Sequence, residues 1–275
     1  MGSLASEDNS SFPKKPVPSG AWDTHHHIFE PDRFPFAEGR HFTPARASLE
    51  DLQKFAESIG VDHVCIAHGL SYGFDCKSLL YYLEEFHDQA RGICVLDLET
   101  VSDELLDEYH VAGIRSVRPD FFRHKAMNNV QQPHLTFWSR LRDVVDGCPV
   151  PVVVDHFALI AGSSYRVNDY ATNIQDGSYL TEGERIGLAA LCETLRNGNL
   201  WIKISAPYRC SNLVPGYDDL RWLVRRFVDA NPRRVEAFLQ VDDKPWIESL
   251  SRWMSEGEWQ LWWVENPATL YDYQE

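Results

Sequence analysis

The stretch "PVPVVVDHF" (Pro149–Phe157) limits the fold more than any other part of this chain. A strand with one face in water alternates apolar and polar residues, whereas a strand covered on both faces reads as a nearly continuous apolar run. Five other strand-like segments accompany it: "AWDTHHHIF", "VDHVCIAHG", "GICVLD" and "IRSVRPD" before it, and "LWIKIS" after it. Helical periods separate them. Ser48 with Asp51, and Thr181 with Glu184, have capping-box spacing, and Ser102 is placed to cap a third helix. Leu49, Leu52, Phe55, Ala56 and Ile59 make an apolar stripe that Gly60 stops. Further helices are predicted over 75–89, around Leu135, Trp138, Leu141 and Val145, and over "YDDLRWLVRRFVDA". From Asn231 onward the pattern predicts helices only. Such alternation requires a parallel sheet with covering helices. No GxGxxG follows the first strand, so a dinucleotide-binding open sheet has no support and a barrel is favoured.

Composition narrows the function classes. Forty-one acidic residues against 26 basic ones give a formal net charge of -15, a field that repels nucleic acid and anionic membrane surfaces. An anionic small substrate would then need local arginines. The six cysteines show no CxxC spacing, which points to a reducing, cytoplasmic compartment without disulfides. No apolar run approaches 18 residues, so no membrane span is expected. "MGSLAS" matches the myristoylation pattern at Gly2 and Ser6, yet only Lys14 and Lys15 lend basic support, and one acyl chain anchors weakly. Residues 1–20 are therefore read as a flexible leader, and 21–275 as one barrel domain.

Chemistry gathers at strand ends. Strand alternation puts Asp23, His25 and His27 on one face, and Thr24 and His26 on the other. His25 and His27 would then project together at the mouth of a barrel, where catalytic groups sit at the C-terminal ends of strands. His156 closes the Val152–Val154 strand, on the face of those two valines. Arg118 ends another strand, and Lys203 and Ser205 share a face in "LWIKIS", with Tyr208 and Arg209 just beyond. Ser71, Tyr72 and Asp75 follow the second strand. Two arginines at such a mouth suit carboxylate recognition, because the guanidinium fork pairs with both carboxylate oxygens; Arg118 could equally form a structural ion pair with Asp120 or Asp155.

"DTHHHIF", "RGICVLD", "GIRSVRPD", "PVPVVVDHF", "LWIKISAPYR" and "WVENPATLYDY" together resemble the amidohydrolase-2 (amidohydrolase-related) family, in particular its branch similar to 2-pyrone-4,6-dicarboxylate lactonases. The resemblance runs from about Ala21 to Tyr273. It implies a distorted (β/α)8 TIM-barrel-like fold and hydrolysis of a small, carboxylated ring or lactone. It further implies that His25, His27 and His156 are catalytic, and that Arg118 and Arg209, with Ser71 and Tyr208 nearby, bind substrate. The lactonase branch is thought to need no metal. Decarboxylase relatives bind a divalent ion such as Zn2+, which here would fall to His25, His27 and His156.

Two elements of the family pattern are missing. "LTFWSRLRDVVDGC" runs directly into "PVPVVVDHF" without the strand relatives carry there, and "NPRRVEAFLQVDDKPW" skips a later strand that supplies the family's aspartate. About six barrel strands are thus expected, and Asp242 and Asp243 are the candidates to replace the absent carboxylate, or simply helix caps. Three functions follow as expectations: a lactonase-like hydrolase, a metal-dependent decarboxylase on the same scaffold, or a degenerate non-catalytic relative. A homo-oligomer would cover the strand edges that an incomplete barrel exposes.

Overall fold

In the computed structural model, residues 15–40, 42–118, 135–164, 180–237 and 244–273 are described. Strands and helices alternate along the chain: β1 (Trp22–His26), α1 (Leu49–Ile59), β2 (His63–Ala67), α2 (Lys77–Phe86), β3 (Ala90–Cys94), α3 (Asp103–Val111) and β4 (Ile114–Val117) come first. Then follow α4 (Trp138–Asp146), β5 (Val152–Val154), α5 (Glu182–Asn197), β6 (Leu200–Ile204), α6 (Arg221–Ala230), β7 (Val235–Ala237), α7 (Lys244–Trp253), α8 (Glu256–Gln260) and α9 (Asn266–Leu270). These residues divide into two compact units. One draws on residues 17–118, 236–237 and 263–273, the other on 15–16, 135–235 and 244–262.

In the first unit the strands pair in the order β1-β2-β3-β4, each parallel to the next. Its core is Trp22, Cys65, Ala67, Ile93 and Tyr271, and the Trp22 ring stacks on His63 with centroids 4.7 Å apart. The capping box that opens α1 forms as the sequence predicts: Asp51 N donates to Ser48 Oγ, and Ser48 N donates to Asp51 Oδ2 at 2.8 Å. Gly60 ends that helix at φ 79°, a left-handed conformation that glycine reaches without steric cost.

The other sheet has the order β5-β6-β7, with β5 and β6 parallel and both in the second unit. The box between Thr181 and Glu184 opens α5 as predicted. Within that helix, Gly187 lies so close to the turn at Leu135 that a Cβ there would stand 1.8 Å from the Leu135 carbonyl oxygen.

Three expectations need correction. First, helices are not all that follow Asn231, because Val235–Ala237 forms a seventh strand, β7. Three residues are too few to show alternation, and the charged Glu236 in the middle hides a strand that is in fact buried there. Second, β5 is not covered on both faces. It is a sheet edge, its three valines are half-buried, and Val150 just before it is 60% exposed. Third, the expected leader is held at its end: Lys15 is buried, its Nζ donating to the carbonyls of Ser251 and Met254, and Pro16 O accepts from Trp259 Nε1.

Candidate active site

At the end of β1 the three histidines have three different environments. The β1–β2 ladder shifts register between Asp23 and His26, so strict alternation fails there. Asp23 Oδ1 accepts from the backbone N of His25 at 3.4 Å. Its carboxylate meets His26 Nε2 at 2.6 Å, and the His26 ring packs edge-on against Phe55. His26 is thus held by a buried carboxylate rather than simply facing outward. His25 is buried and lies edge-to-face with His27, their centroids 5.0 Å apart.

His27 carries the most defined chemistry. Its Nδ1 lies 2.8 Å from Ala67 O at the end of β2. A carbonyl can only accept, so Nδ1 bears the proton and Nε2 is a lone-pair acceptor. Burial withdraws water from the ring, and the Arg118 cation repels a second positive charge, so the pKa falls to about 3. At neutral pH His27 is therefore neutral: it accepts hydrogen bonds and is too weak a base to keep a proton.

Arg118 follows β4, its backbone N donating to Cys94 O at 2.8 Å. Ser71 is buried in a single turn of 3-10 helix, Leu70–Tyr72, and its hydroxyl donates to Phe42 O. That leaves the Ser71 oxygen as an acceptor. Sequence reasoning missed His68, one residue past β2, which is 2% exposed and lies within electrostatic reach of Arg118 and His27. A polar residue directly after the apolar run "HVCIA" was the available signal.

In the second unit, His156 is re-aimed by its backbone. His156, Phe157, Ala158 and Leu159 all have φ between 53° and 57°, a left-handed turn of four non-glycine residues. Such residues cost roughly 1–2 kcal/mol each, so the surrounding packing must hold the turn in place. At this turn the His156 ring meets Ser205, with Nδ1 and Oγ 2.9 Å apart. Ser205 lies just beyond β6, where Lys203 is buried with its Nζ 3.8 Å from Asp155 Oδ1. Asp155 thereby takes Lys203 as its ion-pair partner. Tyr208 and Arg209 sit in an exposed turn, Pro207–Arg209, the guanidinium 5.8 Å from the tyrosine ring centre.

The described residues place His25, His27, Ser71 and Arg118 in the first unit, and His156, Tyr208 and Arg209 in the second. Among them no three His, Cys, Asp or Glu side chains gather into a group able to hold a metal ion, and His27 Nδ1 is already committed to a carbonyl. The present donors thus do not fit a divalent ion, and no step below is routed through one. Asp242 and Asp243 lie outside the described residues.

Comparison with known proteins follows the same lines as the strand ends. Residues 22–142 match the amidohydrolase family model. Over those residues the chain resembles amidohydrolases. The chain is 25% identical over 256 residues to a 2-pyrone-4,6-dicarboxylate hydrolase of Comamonas testosteroni, covering 82% of its own length and 78% of that protein. It is 24% identical over 293 residues to a D-galactarolactone isomerase of Agrobacterium fabrum, covering 98% of its own length and 97% of the other. Since 98% of a 275-residue chain is fewer than 293, the second alignment contains positions that this chain lacks. An Agrobacterium tumefaciens crystal structure superimposes with a TM-score of 0.74 at 20% identity, over 94% of this chain and 98% of that one, which shows the fold. The TIM-barrel-like α/β class expected from the alternation is the one observed.

Proposed function

We propose that this protein hydrolyses a small carboxylated lactone. The observation that carries the reading is His27, a neutral imidazole with its Nε2 lone pair available, within electrostatic reach of the Arg118 cation. Arg118 binds a ring carboxylate by paired charge-assisted hydrogen bonds. His27 Nε2 accepts from the attacking water and orients it; as the water oxygen bonds to the lactone carbonyl carbon, its proton passes by way of Nε2 to the ring oxygen that departs when the C–O bond breaks. The names of the curated relatives, a pyrone-dicarboxylate hydrolase and a galactarolactone isomerase, agree with lactones as the substrate class.

On the second unit, His156 is held by Ser205 at a strained strand end, and Arg209 presents an exposed cation stacked on Tyr208. We place the protein in the cytoplasm, where thiols stay reduced. All six cysteines are described and none is in a disulfide. No described helix is long and apolar enough to cross a membrane.

The test is ring opening of carboxylated lactones by purified protein, followed by loss of pyrone absorbance or by proton release, in the presence and absence of chelator. Turnover that His27→Gln reduces by 100-fold or more, and that chelator leaves unchanged, supports the proposal. A folded protein that opens none of these lactones refutes it.

A further inference from the structure

His68 has a role that lactone hydrolysis alone does not require. Its ring is fixed at three points in the first unit. Nε2 lies 3.0 Å from Gly73 O, which makes it the protonated nitrogen. The ring face packs against Tyr72, with centroids 5.8 Å apart. The backbone on either side is pinned as well: Ala67 O accepts from His27, and His68 N donates to Ile93 O at 2.8 Å. The following residue has to be glycine, because a Cβ at Gly69 would stand 2.3 Å from the Phe29 ring, which itself stacks on His27.

One polar atom is left over. Among the described residues, His68 Nδ1 is buried and has no hydrogen-bond partner. With the proton held on Nε2, this nitrogen can only accept. A buried acceptor left without a donor costs about 1–3 kcal/mol, and native chains rarely carry that cost without a use.

We infer that His68 is a specificity-determining residue whose Nδ1 accepts a hydrogen bond from a hydroxyl of the bound substrate, so that the site selects hydroxylated acids over equally charged acids without hydroxyls. The inference rests on the lactone reading above and sharpens it. A ring bearing only ionised carboxylates has nothing to donate, whereas a polyhydroxy-acid lactone has several O–H groups. Arg118 reads the charge, and His68 reads the hydroxyl. Sites built to hydrogen-bond a substrate hydroxyl reject the analogue that lacks it, because the buried partner is then left unpaired.

Equilibrium binding separates this inference from the question of turnover. The probes are galactarate and adipate, six-carbon dicarboxylates of equal charge, one with hydroxyls and one without. Wild-type protein is expected to bind galactarate at least about tenfold more tightly, the worth of one hydrogen bond. His68→Phe, which keeps a ring but no acceptor, should bring the two affinities within threefold. His68→Asn, which returns an acceptor oxygen close to the Nδ1 position, should restore the preference. A nitrogen-15 spectrum of the wild-type protein supplies a readout that needs no variant: the bare Nδ1 resonance should move upfield with galactarate and stay in place with adipate. Equal affinity of wild type for both probes, a preference that survives His68→Phe, or a Nδ1 resonance unmoved by saturating galactarate would each overturn the inference. Loss of lactonase activity alone would bear only on the broader function.

Discussion

Lowering the pH from 7.5 to 5.0 sets the unfolded and folded chains against each other at His68. In the unfolded chain the ring takes up a proton near pH 6.5. In the folded chain its pKa is lowered to about 4, chiefly because burial denies the cation water. The Gly73 carbonyl opposes that effect, Arg118 adds to it by repulsion, and Asp75 opposes it weakly. A depressed histidine pKa means that the unfolded state binds more protons between these two values. The stabilisation is therefore complete above about pH 6.5 and is lost as the pH falls toward 4. Each pH unit in that window costs about 1.4 kcal/mol, so at pH 5.0 the penalty is about 2 kcal/mol. His27, depressed to about 3 by burial and by Arg118, pulls in the same direction. Urea unfolding at both pH values measures the loss directly. In His68→Asn, which cannot titrate, the loss between pH 7.5 and 5.0 should be smaller than in wild type by about 2 kcal/mol. Equal acid losses in the two proteins would refute the account of a buried, neutral ring.

Three other outcomes follow from the same structure. Gly187→Ala should destabilise the fold by about 2 kcal/mol despite the roughly 1 kcal/mol that alanine gains in a helix, because its Cβ would overlap the Leu135 carbonyl. Gly257→Ala in α8, with nothing within 4 Å of the new Cβ, should instead raise stability by up to about 1 kcal/mol, and thermal unfolding reads both. Lys15→Met should cost about 1–3 kcal/mol in urea unfolding, since it leaves the buried carbonyls of Ser251 and Met254 without their donor. Arg118→Met should raise KM for a carboxylated lactone about 10- to 100-fold while changing kcat less, and a matching uncharged lactone should show no such rise.

Local signals carried much of the fold. Both capping boxes, the strands through β6 and the helical stripes were legible because each depends on neighbours a few residues away. What was not legible depends on long-range or strained backbone. β7 is only three residues long and is identified by its partner β6, not by its own pattern. The pairing of Asp23 with His26 depends on a register shift that alternation cannot foresee. The contact of His156 with Ser205 depends on four left-handed residues, none of them glycine, so no sequence signal marks the turn. Of the candidate site, residue identities were readable at the strand ends, whereas tautomers and hydrogen-bond directions at His27 and His68 needed the carbonyls of Ala67 and Gly73 to be placed.

The grip of Lys15 on the end of α7 has a consequence for how the chain is made. Its nitrogen meets carbonyl oxygens more than 230 positions later, and in the other unit Trp22 stacks on Tyr271. Each unit is thus closed by its own first and last segments. A ribosome adding about 5–20 residues per second needs some 10–50 s to deliver them all. During that interval the apolar faces of β1 and of α7's partners stay uncovered. Neither unit can therefore lock until its closing segment, Ser251–Met254 in one and Tyr271 in the other, has left the ribosome, and until then the nascent chain depends on shielding.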